Sequence, residues 1–198
     1  MSRIASVTRQ TNETQIGLNL NLDGQGAFSC DVEVGFFKHM LHLLALHASI
    51  DLDLKATGDL DVDDHHLVED VGLVLGQALR EALGDKAGIE RYGSSLLPMD
   101  EVLVAVALDL SGRFTFCSDY VPQREKVGDL STEMVSHFFR SLAVEARANL
   151  HFRFLNPGEN EHHRIEAMFK GFARALRQAV TLNARSGNSV PSTKGSLL

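Results

Sequence analysis

Ile16, Leu18, Leu20 and Leu22 alternate with Gly17, Asn19 and Asn21, the two-residue period of a strand with one buried face. Asp23-Gly24 predicts a turn, and Ala27 to Val32 a returning strand. From Phe36 to Ser49 the chain carries Leu, Phe, Met and His without a breaker, which predicts a largely buried helix. Ile50, Leu52, Leu54 and Ala56 alternate again, and that strand ends at Thr57-Gly58-Asp59. Beyond an acidic loop, Leu67, Val71, Val74, Leu75, Ala78, Leu79 and Ala82 recur at the helical period until Gly84 stops them.

The same order then returns. Ser94 to Pro98, with Pro98 as a breaker, Glu101 to Leu110 and Phe114 to Ser118 predict strands. Ser131 to Asn149 predicts a helix with Met134, Val135, Phe138, Phe139 and Leu142 facing inward. Leu150, Phe152 and Phe154 alternate, Asn156-Pro157-Gly158 turns the chain, and Ile165, Met168, Phe169, Phe172, Leu176 and Val180 mark a last helix. The expected architecture is therefore α+β and internally duplicated. Two strands–helix–strand–helix units, residues 1–89 and 90–183, each form a two-layer mixed sheet covered by two helices. Residues 184–198 form a Ser-, Gly- and Asn-rich tail that composition alone reads as frayed.

One polar motif is duplicated with the elements. Asp63-Asp64-His65-His66-Leu67-Val68-Glu69-Asp70 is echoed by Asn160-Glu161-His162-His163-Arg164-Ile165-Glu166. Each copy has two adjacent histidines with a glutamate one helical turn on. A single HHxxE more often only opens and caps a helix. Its repetition, in a chain with nine histidines, points to metal. Adjacent helical side chains splay by about 100°, so the two members of a pair do not readily grip one ion. The economical reading is two ions, each taking one histidine from each copy. His39 and His137 hold matching places on the earlier helices and supply a further nitrogen each. His42 faces Arg140 in the repeat and reads as structural, and His151 alternates with core residues toward solvent. Such an imidazole-rich, thiol-free set suits Mn, Fe, Co, Ni or Zn.

Composition narrows the partners. A formal charge of −7 argues against nucleic acid and anionic membranes. No apolar stretch is of membrane-spanning length, and Met1-Ser2-Arg3-Ile4 does not open a signal peptide, so a cytoplasmic protein is expected. Two cysteines, Cys30 and Cys117, support neither a disulfide framework nor a thiolate metal site.

Four segments together resemble the imidazoleglycerol-phosphate dehydratase family: Gly35-Phe36-Phe37-Lys38-His39-Met40-Leu41, Gly58 to His66, Glu161 to Lys170, and Pro191-Ser192-Thr193-Lys194-Gly195. The likeness runs in order and at the family's spacing from Arg9 to Gly195. It implies halves of the ribosomal protein S5 domain 2-like type. It also implies dehydration of imidazole glycerol phosphate to imidazole acetol phosphate in histidine biosynthesis, two manganese ions per active site, and a homo-oligomer of twenty-four subunits that share sites. Carried over by position, the metal ligands are His39, His65, His66, Glu69, His137, His162, His163 and Glu166. The phosphate contacts are His47, Arg91, Arg113, Lys170, Ser192 and Lys194. Glu13 matches a family glutamate assigned acid–base work and substrate contact, with Glu69 and Glu166 the carboxylates at the reacting centre. In the implied chemistry a substrate imidazole bridging two ions becomes imidazolate-like and expels the adjacent hydroxyl. The resulting diazafulvene has an acidic C–H for Glu13 to remove. The chain departs from the family pattern at Lys38, Leu43 and Leu67, none of them a ligand position. A binuclear metallohydrolase of phosphate esters is the alternative; such sites lean on aspartates and a bridging carboxylate, which this set lacks.

Overall fold

The computed structural model describes residues 3–185 and 187–197. In the first half, β1 (Ile4–Gln10), β2 (Thr14–Asn21), β3 (Phe28–Asp31) and β4 (Asp51–Gly58) accompany α1 (Gly35–Ala48) and α2 (His65–Leu83). The second half contains β5 (Tyr92–Met99), β6 (Val102–Asp109), β7 (Thr115–Ser118) and β10 (Asn149–Asn156), with α3 (Glu133–Ala146) and α4 (Glu161–Val180). Between β7 and α3 a small hairpin, β8 (Lys126–Val127) and β9 (Leu130–Ser131), has no counterpart in the first half.

The sheets have equivalent orders, β1-β2-β4-β3 and β5-β6-β10-β7. In each, the third-listed neighbours are antiparallel to the hairpin and the short strand joins in parallel. The duplication read from the pattern is thus the architecture, in a mixed α/β chain with two similar halves. Even the helix ends repeat. Ser49 and Arg147 both adopt the left-handed conformation after α1 and α3, with φ of 55° and 49°. The next residues, Ile50 and Ala148, donate back to the carbonyls of Ala45 and Ala143 at 3.1 and 3.0 Å.

Several local expectations change. β3 does not return against β2; it pairs in parallel with β4, because α1 provides the crossover that parallel pairing requires. β1, without a clean alternation, is held as an edge strand by antiparallel pairing to β2. Pro98 does not end its strand, since β5 is also an edge and the missing N–H faces away from β6.

The halves meet through their helices. α2 of the first half packs on α3 of the second, and α1 packs on α4. Phe37 from α1 meets Phe138 from α3 edge to face, and Phe138 stacks on Phe169 from α4, both at centroid distances of 5.3 Å, inside one core common to both halves. The α2–α3 approach is close enough to require glycine: a Cβ on Gly72 would lie 2.8 Å from the Phe138 carbonyl, and one on Gly76 only 2.3 Å from that of Leu142.

Gly76→Ala therefore sets two effects against each other. Helix propensity favours alanine by about 1 kcal/mol, whereas overpacking costs about 1–3 kcal/mol. Backbone cannot retreat as a side-chain tip can, so we expect a net loss of stability, read as a lower denaturation midpoint. An unchanged or raised midpoint would show that the helices can part without cost.

Candidate metal centre and anion pocket

Crossed helix packing places the duplicated motifs. α4 begins at Asn160, whose side-chain oxygen accepts from the backbone N–H of His162 at 2.9 Å and of His163 at 3.4 Å. α1 and α2 lack side-chain caps of their own and are tied instead to the β8–β9 hairpin. Asp129 accepts from the N–H of Gly35 (2.6 Å) and Phe36 (2.9 Å), while Asp64 takes both the N–H and hydroxyl of Ser131 at 2.6 Å. Each helix that carries a first-half candidate ligand is thus anchored at its N-terminus to the second half.

Two equivalent clusters result. His39 of α1 faces His162 and Glu166 of α4, with Nε2 to Glu166 Oε2 separations of 3.6 and 2.9 Å. His137 of α3 faces His65 and Glu69 of α2, with His137 Nε2 3.1 Å from Glu69 Oε1 and His65 Nε2 3.6 Å from Glu69 Oε2. In each group the three candidate ligand atoms lie within 4.8 Å of one another. His137 Nε2 is buried and has no hydrogen-bond partner, although Glu69 Oε1 is 3.1 Å away. Lone pairs aimed at a common point, rather than at each other, give that geometry, and it fits a divalent ion with bonds of about 2.0–2.2 Å. Glu166 is buried, which alone would raise its pKa, but hydrogen bonds from Lys170 and His162 prevail and keep it below the usual glutamate value.

The second histidine of each pair points elsewhere. His66 Nδ1 sits 3.0–3.1 Å from the Asp59 carboxylate, and its Nε2 is 3.8 Å from Glu13. His163 Nδ1 is 2.9 Å from Glu101 and its Nε2 3.5 Å from Asp100. The duplication allows the two pairs to meet either within one subunit or between subunits; among the described residues no cluster takes a histidine from both pairs, and within one chain the partner of each pair is the helix histidine of the opposite half. The reason is the crossed packing of α1 on α4 and α2 on α3, which leaves the two HHxxE helices apart. Glu13 reaches His66 because its turn is braced: Thr11 Oγ1 accepts from the N–H of Glu13 and Thr14, and Thr14 donates to buried Asp70 of α2 at 2.5 Å.

Of the six phosphate candidates, four share one cavity, His47 lines a second cleft, and Lys170 lines neither. Arg91, Arg113, Ser192 and Lys194 line one cavity of about 800 Å³. Arg91 donates to both oxygens of Asp109 (2.7 and 3.0 Å) and to the Pro191 carbonyl (2.9 Å), so it anchors the tail. The tail is further held by Gly88 N–H on the Ser189 carbonyl at 2.9 Å and by buried Leu197. His47 instead lines a separate cleft of about 500 Å³ with Arg174 and Arg177. Burial first, then neighbouring Lys170 and Arg174, lower the His47 pKa. Lys170 itself is engaged by Glu166.

Sequence reasoning passed over Asp59, Asp100, Glu101 and Asp109, whose roles depend on what lies across the fold. It also passed over Lys86, buried and donating to the Leu110 carbonyl at 3.0 Å beneath the turn that carries Arg113. Lys38 is exposed and His42 stacks on Phe28 at 4.7 Å, clear of both clusters. No helix among the described residues is long and apolar enough to cross a membrane.

A sequence profile described as imidazoleglycerol-phosphate dehydratase matches residues 32–176. The imidazoleglycerol-phosphate dehydratase of Acetivibrio thermocellus is 53% identical over 197 residues, covering 100% of both chains. That of Clostridium botulinum is 51% identical over 196 residues and 99% of each. Among solved structures, the enzyme from Staphylococcus aureus superposes with a TM-score of 0.80 at 39% identity, over 91% of this chain and 99% of that one. The one from Pyrococcus furiosus gives 0.81 at 35%, over 96% and 100%.

The hydrogen bonds to Asp59 and Glu101 raise the pKa of His66 and His163 above the ordinary 6.5. Without metal, a raised pKa stabilises the fold fully below 6.5 and the contribution is lost as pH rises through the folded value. Ion binding has the opposite preference, because it needs the neutral ring. The rise in melting temperature on adding a divalent ion should therefore grow between about pH 6 and about pH 8. A flat or declining increment would remove these two rings from the ligand set.

Proposed function

The chain belongs to the imidazoleglycerol-phosphate dehydratase family, and on that premise we propose that it dehydrates imidazole glycerol phosphate to imidazole acetol phosphate with two divalent ions per site, manganese being the expected metal. Family membership makes it a hydro-lyase of histidine biosynthesis. The observation that carries the metal-dependent reading is the pair of equivalent clusters, each with two imidazole nitrogens and one carboxylate.

Each cluster lacks a third protein nitrogen, and His66 and His163 each present an Nε2 outside the clusters. Both deficits are met if a neighbouring subunit contributes its outer histidine. The anion sites argue in the same direction: His47, and Arg91 with Arg113, Ser192 and Lys194, lie in different clefts of one chain, while Lys170 is engaged by Glu166. They act on one phosphate when the clefts of two subunits face each other. We therefore take the active unit to be a closed homo-oligomer, of twenty-four chains by family resemblance.

When bound, the ions would act as Lewis acids on the substrate's imidazole, easing loss of its N–H proton and departure of the neighbouring hydroxyl. Glu166 and Glu69 supply the anionic ligand atom of each cluster, and Lys170 beside Glu166 favours its ionised form. Glu13, braced on Asp70 beside His66, removes the proton from the next carbon, and the enol tautomerises to the ketone. Arg91, its plane fixed by Asp109, orients the remote phosphate together with Arg113, Ser192 and Lys194.

Metal-reconstituted protein should convert imidazole glycerol phosphate and leave a generic phosphate ester untouched. Hydrolysis of the ester without dehydration would favour the binuclear hydrolase instead. Complete chelation should reduce particle size by light scattering along with activity, because the outer histidines join chains. A large particle that survives metal removal intact would contradict shared ligation.

A further inference from the structure

The two outer histidines are restrained by carboxylates that the duplication does not relate. Asp59 comes from the loop after β4; Glu101 comes from the β5–β6 turn. Yet both approach the same ring atom, Nδ1, at 3.0–3.1 Å for His66 and 2.9 Å for His163. The repeat has restored an interaction without copying the residue that makes it.

Glu101 is built into that role. One oxygen, Oε1, accepts from the backbone N–H of Glu159 and Asn160 at 3.2 and 3.0 Å, fixing the loop that opens α4. The other oxygen meets the His163 ring. Its stem passes so close to Gly158, at φ +59°, that a Cβ there would lie 2.6 Å from Glu101 Cγ. The loop is thus shaped around this side chain.

We propose that Glu101 and Asp59 are positioning residues that set the tautomer of His163 and His66, and so present Nε2 of each as a metal-ligand atom. This rests on the metal-dependent reading above. An ionised carboxylate only accepts hydrogen bonds, so the facing Nδ1 carries the hydrogen. In the neutral ring the lone pair then belongs to Nε2, which lies 3.8 Å from Glu13 in His66 and 3.5 Å from Asp100 in His163 and belongs to neither of the two cross-half clusters. Among the described residues His65 and His162 have no comparable carboxylate on Nδ1; Glu69 and Glu166 converge with their Nε2 atoms from the same helix.

Glu101→Gln separates this role from loop support. The amide oxygen can keep both backbone N–H groups, while the amide nitrogen faces His163 Nδ1 as a donor. The ring must then accept at Nδ1 and carry its hydrogen on Nε2, masking the ligand atom. Affinity for Mn²⁺ or Co²⁺ alone, measured on the full-length metal-stripped protein against a fluorescent chelator, should weaken about 10–100-fold at one ion per chain. The melting temperature of the metal-free variant should stay near the parent's. Asp59→Asn should do the same through His66. If Glu101→Ala weakens uptake but Glu101→Gln binds both ions within twofold of the parent, Glu101 only holds the loop and the inference is overturned. A parent that takes up no ions would overturn the metal-dependent reading and this inference together; a fully loading parent with an equally loading Glu101→Gln overturns this inference alone.

Discussion

The close approach of α2 to α3, and of α1 to α4, is the constraint on which the rest depends. Each pair crosses the boundary between the halves. Helix approach at Gly72 and Gly76 brings carbonyl oxygens where side chains would otherwise stand. The same contact brings His137 to Glu69 and His65, and the α1–α4 contact brings His39 to Glu166 and His162. Neither half alone holds either of the two equivalent clusters; the further group Asp100, Glu101 and His163 lies within the second half. Buried phenylalanines bind the halves as one hydrophobic body, each contributing about 1.5–3 kcal/mol on burial. The polar sites therefore inherit their geometry from apolar packing.

Electrostatics then decides what this geometry can hold. A carboxylate buried as Glu166 is needs compensation, and it receives two donors on opposite oxygens, Lys170 and His162. Glu69, half exposed, faces two imidazoles instead. The two clusters match in ligand type but not in surroundings. Against a net charge of −7, cations gather in two clefts: Arg91, Arg113 and Lys194 in one, Arg174 and Arg177 beside His47 in the other.

Much of this was legible in the sequence because it is periodic or local. Alternation found β2, β4 and β10, an unbroken apolar run found α1, helical spacing found α2, α3 and α4, and the repeated HHxxE marked α2 and α4. What the pattern could not supply was pairing across the chain. The partner of β3, the edge position that tolerates Pro98, and the meeting of His39 with Glu166 are long-range facts with no local signature. Asp129, Asp64 and Glu101 look like ordinary surface acids until their partners, far away in sequence, are known. The tail illustrates the opposite failure of composition. Its Ser- and Gly-rich run reads as loose, whereas Arg91, Gly88 and the pocket for Leu197 engage it through contacts that amino-acid counts do not register.

The adjacency of the two histidines links local geometry to assembly. Successive residues on a helix diverge by about 100°, so a doublet cannot turn both rings to one point. In this chain the first member of each doublet turns inward to the cross-half cluster, and the second turns outward to Asp59 or Glu101. A single histidine could serve a metal within one chain; on the reading proposed above, the doublet adds a ring for a neighbouring subunit. Had the second ring been loose, its rotamer freedom would weaken any shared bond, since ordering a flexible side chain costs on the order of 1 kcal/mol. The carboxylate behind each outer ring removes that freedom before a partner arrives. On the proposed reading, the splay of two neighbouring residues is what makes catalysis and oligomerisation depend on the same ions.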